Sequence, residues 1–161
     1  MTVVMGDLAG NMATDTHPLP NDEPTGKAII IYDPGLSGGA KDVANRIGFA
    51  LQDSDYVVLV AGVKSQAANN LTGYDIVVVG GPIYAGKPAS SIQAYLNSFN
   101  PSEQAKVGVF GYGGVQIDNN DKTAVLNDVA GGNIDVTAAM KIVSSGNQTE
   151  QCYTFVANLL K

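Results

Sequence analysis

Three glycine-rich segments hold most of the residues in this sequence that could bind a ligand. Each follows an apolar run, and they read DPGLSGGA at 33–40, GGPIYAG at 80–86 and GYGG at 111–114. Glycines let backbone N–H groups approach an anion closely, and a helix that begins directly after such a loop adds the positive end of its dipole. The first segment, which leads into a helical pattern near Ala40, is therefore typical of a phosphate-binding loop.

Few side chains could act as catalytic or metal-binding groups. A single cysteine, Cys152, excludes an internal disulfide and a cysteine cluster for a metal. The chain has a single histidine, His17, so it lacks the several histidines of a histidine metal site, and a catalytic triad could use only this one. Cys152 shares a helical spacing with Phe155, Val156 and Leu159, so we interpret it as a small core side chain. No residue demands a role as acid, base, nucleophile or metal ligand, and we assign no catalytic residue.

Length and charge are those of one globular domain with an acidic surface. The chain has 161 residues, 45% of them hydrophobic, and a formal net charge of -6. This charge argues against nucleic-acid binding. It suits a basic protein partner, and it equally serves plain solubility. No apolar stretch reaches the roughly 18 residues of a membrane span, and MTVVMGDLAGNM lacks the basic start and apolar core of a signal peptide. We therefore expect a cytoplasmic domain.

Five apolar runs alternate with helical patterns from Lys27 onward. The predicted strands are 27–33, 56–62, 74–81, 106–114 and 138–145, and the predicted helices are 40–52, about 92–99, 122–130 and 148–160. This alternation predicts an α/β fold, a three-layer doubly wound sandwich around a five-stranded parallel sheet. With right-handed crossovers, the order 2-1-3-4-5 is the commonest for five strands. Residues 1–25, which mix three prolines with polar residues, are predicted to be a flexible N-terminal arm, and 26–161 the domain.

The predicted topology brings the glycine-rich segments together. In the order 2-1-3-4-5 the switch point lies between strands 1 and 3, and ligands bind beside such a point at the carboxyl ends of the strands. The three segments follow strands 1, 3 and 4. We therefore expect them to meet at one rim of the sheet.

Common phosphate-binding signatures do not match. A Walker A loop needs a second glycine where Ala40 stands and a hydroxyl residue where Asp42 stands. The dinucleotide fingerprint Gly-x-Gly-x-x-Gly is broken at residues 35–37. A phospho-acceptor receiver domain would end strand 3 in an aspartate, but residues 80–81 are both glycine.

Residues 73–96, GYDIVVVGGPIYAGKPASSIQAYL, resemble the third strand, the flavin-contacting loop and the following helix of the flavodoxin family. They are most similar to the branch that contains flavodoxin-like protoporphyrinogen oxidases. The resemblance extends over about 27–160 and is strongest in Gly-x-Pro-Ile-Tyr-x-Gly-Lys. It implies non-covalently bound flavin mononucleotide (FMN), electron transfer and a redox protein partner. Because no residue demands a role as acid, base or nucleophile, an electron carrier is favoured over an FMN-dependent oxidoreductase.

The resemblance also implies the positions of the cofactor contacts. The first loop would hold the phosphate through Ser37, Gly38, Gly39 and Ala40. The other two loops would contact the flavin ring through Pro82, Ile83, Tyr84, Ala85 and Gly86, and through Gly111, Tyr112, Gly113 and Gly114. Tyr84 and Tyr112 would offer flat faces to the ring, and such an aromatic pair adds about 0.5–1.5 kcal/mol beyond its buried area.

The first loop departs from the family pattern. Family members usually carry a Thr/Ser-x-Thr-Gly-x-Thr run there, whereas Ser37 is the one hydroxyl residue in 33–40. Asp33 adds a negative charge, and two unit charges about 6 Å apart at an effective dielectric of about 20 repel by roughly 3 kcal/mol. Asp33 must therefore point away, pair with Lys41, or border a loop that holds a less charged group. Alternatively, 33–35 simply form a turn in which Asp33 caps neighbouring amides.

Two other functions stay open at this point. One is an interaction module that keeps the fold but has an altered or lost flavin site, which the missing threonines and Asp33 favour. The other is a small FMN-dependent reductase acting on quinones or porphyrin-like substrates.

Overall fold

The computed structural model describes residues 13–114, 117–132, 134–144 and 147–161. Within these ranges the strands are β1 Thr16–Leu19, β2 Gly26–Tyr32, β3 Tyr56–Gly62, β4 Ile76–Tyr84, β5 Lys87–Pro88, β6 Lys106–Tyr112 and β7 Ala138–Ile142. The helices are α1 Gly39–Asp53, α2 Ser90–Asn97, α3 Lys122–Ala130 and α4 Gln148–Leu159, with a 3-10 turn at Ala67–Asn69. None of these helices is long and apolar enough to cross a membrane.

Five parallel strands form the centre of the sheet in the order β3-β2-β4-β6-β7. This is the predicted order 2-1-3-4-5, and it confirms the doubly wound α/β fold. The strand count differs from the prediction, because β1 pairs antiparallel with β3 and the two-residue β5 folds back onto the end of β4. The predicted fifth strand ends earlier than expected, at Ile142, and its last predicted residue, Ser145, lies outside the described residues.

Strand β1 lies within the segment that the sequence predicts to be a flexible arm. Thr16 is paired with Ala61 and Leu19 with Val58, and Leu19 is buried. The prolines of this segment hide the strand from sequence analysis, yet proline is tolerated on the edge of a sheet. The arm prediction therefore does not hold for β1, while residues 1–12 lie outside the described residues.

Both faces of the sheet are covered because alternate residues of each buried strand point to opposite sides. Ile30 and Val78 pack with α1 and α4, whereas Ile29 and Val77 pack with α2. Cys152 of α4 is fully buried in the first of these layers, as its helical spacing predicts. Burial raises the pKa of its thiol to about 12, so this cysteine stays protonated at neutral pH.

Candidate functional site

The three glycine-rich loops leave the sheet side by side at its carboxyl-terminal rim. Tyr32 at the end of β2 is paired with Gly80, and Pro82 near the end of β4 is paired with Tyr112. The loops line one open cavity of about 250 Å³, whose walls are Pro34, Gly35, Leu36, Ser37, Ala40, Pro82, Ile83, Tyr84, Tyr112 and Gly113. The structure thus brings predicted site residues from all three loops together.

Some predicted contacts lie outside the cavity wall. Gly38 and Gly39 form the entry into α1. Ala85 and Gly86, with φ of 53° and 76°, form the exposed turn between β4 and β5. Gly111 is buried in β6, where a β-carbon would lie 2.7 Å from both Ile83 and Val129 side-chain atoms. Gly114 continues the third loop beyond the wall.

Helix α1 begins at the cavity with a glycine as its N-cap residue. Gly38 has a left-handed backbone with φ of 76° and no side chain that could cap the helix. The N–H of Gly39 donates a hydrogen bond to Ser37 Oγ at 3.2 Å. The first amides of a helix have no partner within the helix, so they remain suited to an anion. The donor chemistry of this helix start therefore fits a phosphate.

Asp33 is turned into the protein interior. Its side chain is fully buried, Oδ1 accepts a hydrogen bond from the N–H of Gly35 at 2.9 Å, and Oδ2 accepts one from the hydroxyl of Ser91 at 2.5 Å. The sequence left three arrangements open for this carboxylate, and the structure shows that it points away from the loop. It also caps an amide of the 33–35 turn.

The two tyrosines pack against the first loop. A β-carbon at Gly39 would lie 2.2 Å from Cε1 of Tyr112, so the Tyr112 ring lies directly on this glycine. A β-carbon at Gly35 would lie 3.2 Å from Pro82 and 3.6 Å from the hydroxyl of Tyr84. Part of the Tyr112 ring is therefore covered by the first loop, while Tyr112 stays partly exposed and lines the cavity. Its contact with a flavin ring stays a prediction. The cavity volume of about 250 Å³ lies just below the about 300–1,000 Å³ of most small-molecule pockets.

Four residues of this region are not among the site residues predicted from the sequence. Pro34, Gly35 and Leu36 line the cavity, and Leu36 is half exposed at its edge. Ser91 binds Asp33 from the first turn of α2. The signal that could have indicated Ser91 was Asp33 itself, because a carboxylate at the end of a buried strand needs a donor, and α2 begins after the neighbouring strand β4.

Larger hollows flank the sheet away from the three glycine-rich loops. One of about 380 Å³ lies beside β1, and one of about 490 Å³ lies beside β7. The first has His17 and Lys41 among its walls, and the second has Asn119 and Lys122. Within the described part of the chain, no group of three or more His, Cys, Asp or Glu side chains could hold a metal ion. The rim cavity is therefore the site where fold and donor chemistry coincide.

Comparison with known proteins supports the fold. No protein-family model and no curated protein matches the sequence. Among solved structures, oxidised Flavodoxin 2 from Bacillus cereus matches with a TM-score of 0.61 and 19% identity, over 83% of this chain and 97% of that one. A flavodoxin from the domain Archaea matches with a TM-score of 0.58 and 16% identity, over 84% and 99%. Rubredoxin oxygen:oxidoreductase from Desulfovibrio gigas matches with a TM-score of 0.59 and 21% identity, over 85% of this chain and 36% of that one.

These likenesses confirm that the chain has a flavodoxin-like fold, as the resemblance in residues 73–96 predicts. The finer resemblance, to the branch with protoporphyrinogen oxidases, stays a prediction. The same holds for each cofactor contact that the resemblance implies.

Proposed function

We propose that the chain binds FMN non-covalently at the rim cavity and acts as an electron carrier. The observation that supports this most is the start of α1, which has a glycine N-cap and opens into a cavity shared by three loops of a flavodoxin-like fold. Bound FMN would supply one- or two-electron transfer, while the protein supplies position and a charge environment.

The first loop would bind the phosphate with its backbone. The amides of Gly38, Gly39 and Ala40 and the hydroxyl of Ser37 are the donors, and each charge-assisted hydrogen bond contributes about 1.5–3 kcal/mol. Both oxygens of the buried Asp33 carboxylate are hydrogen-bonded, to the N–H of Gly35 and the hydroxyl of Ser91, so Asp33 does not occupy the amides of Gly38, Gly39 and Ala40. The backbone therefore replaces most of the hydroxyl donors that the family pattern supplies.

The other two loops would hold the flavin ring. The predicted contacts are Pro82, Ile83, Tyr84, Ala85 and Gly86 from one loop, and Gly111, Tyr112, Gly113 and Gly114 from the other. Tyr112 would leave Gly39 and pack against the ring. Gly111 lies beneath Ile83, so it would shape the ring site through packing.

A redox protein would exchange electrons with the flavin bound at this rim. The net charge of -6 suits a basic partner, and the half-exposed Leu36 lies at the edge of the cavity. We further propose a cytoplasmic location. With no residue in the role of acid, base or nucleophile, carriage of electrons is favoured over turnover of a substrate.

The test is a titration of the purified protein with FMN, followed by flavin absorbance and by fluorescence quenching. Riboflavin, which lacks the phosphate, should bind much more weakly if the first loop holds that group. Ser37→Ala should weaken FMN binding by about one hydrogen bond, roughly 1.5–3 kcal/mol, and leave riboflavin binding unchanged. Ser102→Ala, at an exposed position away from the cavity, is the matched control.

A colourless protein that does not bind added FMN would contradict the proposal. The packing of Tyr112 on Gly39 favours one alternative in that case, a flavin-free interaction module that uses the same fold. Tyr112→Ala removes the ring that covers Gly39, so FMN binding gained by this variant would favour a covered flavin site over the interaction module.

A further inference from the structure

Two formally charged side chains are buried among the described residues, and both lie at the same rim. These are Asp33, which follows β2, and Lys141, one residue before the end of β7. The burial of the Asp33 carboxylate is explained by its hydrogen bonds to Gly35 and Ser91. Lys141 is not among the residues that line the rim cavity.

Lys141 forms a partly buried ion pair with helix α3. Its side chain is 3% exposed, and its ammonium nitrogen lies 2.5 Å from Oδ2 of Asp128, which is 23% exposed. The backbone N–H of Lys141 donates to Oδ1 of Asn119 at 3.0 Å. The pair therefore joins β7 and α3 at a fixed position.

The ammonium group lies directly behind the third glycine-rich loop. A β-carbon at Gly114 would lie 3.3 Å from Nζ of Lys141 and 3.8 Å from Cγ2 of Ile83. The preceding residue, Gly113, donates its N–H to the carbonyl of Ile142 at 2.9 Å. Ile83 and Gly113 both line the rim cavity, so one layer of residues separates the ammonium from it.

Stability alone is a poor reason for this arrangement. The cost of removing two charges from water often exceeds their attraction, and replacing such a pair with apolar residues is often neutral or stabilising. Charges buried beside a cavity act strongly on a ligand inside it, because the protein interior has a lower dielectric than water and screens charge less. The position of the pair therefore points to an electrostatic role.

We propose that Lys141 and Asp128 set the reduction potential of the flavin bound at the rim. This inference rests on the proposed function. Bound FMN would accept two electrons from a reduced redox protein and one proton from solvent, which would leave the ring with one additional negative charge; no bond would form between the flavin and the protein. Lys141 stabilises that more negative form and Asp128 opposes it, so both are positioning residues that act through charge.

The two charges predict shifts of opposite sign. A unit charge about 10 Å from another, at an effective dielectric of about 20, changes an equilibrium roughly tenfold. Lys141→Met should weaken binding of reduced relative to oxidised FMN by about tenfold, which lowers the midpoint potential by about 30 mV for a two-electron couple. Asp128→Asn should strengthen it by a similar factor and raise the potential.

The experiment measures the midpoint potential and the Kd of oxidised FMN for the wild type and both variants. Lys122→Met is the control, because it removes the same charge from the other end of α3, where Lys122 bonds the carbonyl of Val136. Lys141→Arg should restore a potential close to that of the wild type. Opposite shifts in Lys141→Met and Asp128→Asn, with Lys122→Met unchanged, support the proposal.

Equal potentials, or shifts of the same sign in both variants, overturn it, since a purely structural pair would affect both variants in the same direction. If Lys141→Met does not fold, Asp128→Asn alone decides, and an unchanged potential then rejects the proposal. If the wild type binds no FMN, the proposed function and this inference both fall. FMN binding with unchanged potentials rejects this inference alone.

Discussion

The carboxylate of Asp33 accepts a hydrogen bond from the hydroxyl of Ser91 at 2.5 Å, and both side chains are buried. Asp33 also bonds through its own N–H to the carbonyl of Gly80 at 3.1 Å. One residue therefore connects the first loop, strand β4 and helix α2. Asp33, whose charge predicts repulsion of a phosphate when only the sequence is considered, is part of the hydrogen-bond network that holds the rim together.

Removal of either partner should destabilise the apoprotein. Ser91→Ala leaves a buried carboxylate with one hydrogen bond fewer, and the loss of such a partner costs about 1–3 kcal/mol. The free energy of unfolding from urea titration measures this, with Ser102→Ala as a control that should change it by less than about 0.5 kcal/mol.

Asp33→Ser should also lower the free energy of unfolding. In a loop weakened only by repulsion, the serine would tighten FMN binding with no loss of stability. Because the carboxylate instead bonds Gly35 and Ser91, we expect lower stability by about 1–3 kcal/mol and no gain in affinity. A stable variant with tighter FMN binding would contradict the structural role of Asp33.

Gly39→Ala should destabilise the protein through Tyr112. The introduced β-carbon would lie 2.2 Å from the Tyr112 ring, and overpacking of this kind costs about 1–3 kcal/mol. In a Tyr112→Ala background the same change should be close to neutral, because the ring is absent. A double-mutant cycle of unfolding free energies measures the coupling, and a coupling near zero would show that the ring does not rest on Gly39.

The central sheet was predictable because its strands are nearly continuous apolar runs. Segments such as Ile29–Ile31 and Ile76–Val79 are buried on both faces, and a pattern of this kind is read directly from residue types. Strand β1 was missed because its prolines resemble a linker. The two-residue β5 is too short to leave a pattern.

The site was less predictable because its contacts join residues far apart in the chain. The bond between Asp33 and Ser91 spans 58 positions, and the sequence alone does not indicate which way a carboxylate points. Likewise, Lys141 lies within an apolar run, and its partner Asp128 belongs to another element. Loop positions follow from topology, whereas side-chain directions depend on packing.

The buried thiol of Cys152 should make the protein sensitive to alkaline pH. Burial raises its pKa from 9.0 to about 12, so between these values the unfolded chain releases a proton that the folded chain retains. The unfolded state then binds fewer protons, and the free energy of unfolding falls as pH rises from about 9, by up to about 1.4 kcal/mol per unit. Below pH 9 this contribution to stability is fully present.

Cys152→Ala isolates this effect. The variant should be less stable at pH 7 because it leaves a small cavity, but its stability should fall less between pH 9 and 10 than that of the wild type. Urea unfolding at several pH values measures the two slopes. Equal slopes would mean that Cys152 does not titrate with a raised pKa.

The turn between β4 and β5 carries a residue in an unfavourable backbone conformation. Ala85 has φ of 53° and Gly86 has φ of 76°, and a two-residue hairpin turn of this kind prefers glycine or asparagine at both central positions. An alanine in the left-handed region costs about 1–2 kcal/mol relative to the right-handed one. Ala85→Gly relieves this cost, although the freer unfolded chain offsets about 0.4–1 kcal/mol of the gain.

We therefore expect Ala85→Gly to raise the free energy of unfolding by about 0.5–1 kcal/mol. Ala94→Gly is the matched control, because Ala94 is exposed within α2 and glycine in a helix costs about 0.5–1 kcal/mol. The same substitution should thus have opposite signs at the two positions. If both variants lose stability, the hairpin favours alanine through contacts that outweigh its backbone strain, and the turn that carries two of the predicted ring contacts is held by packing.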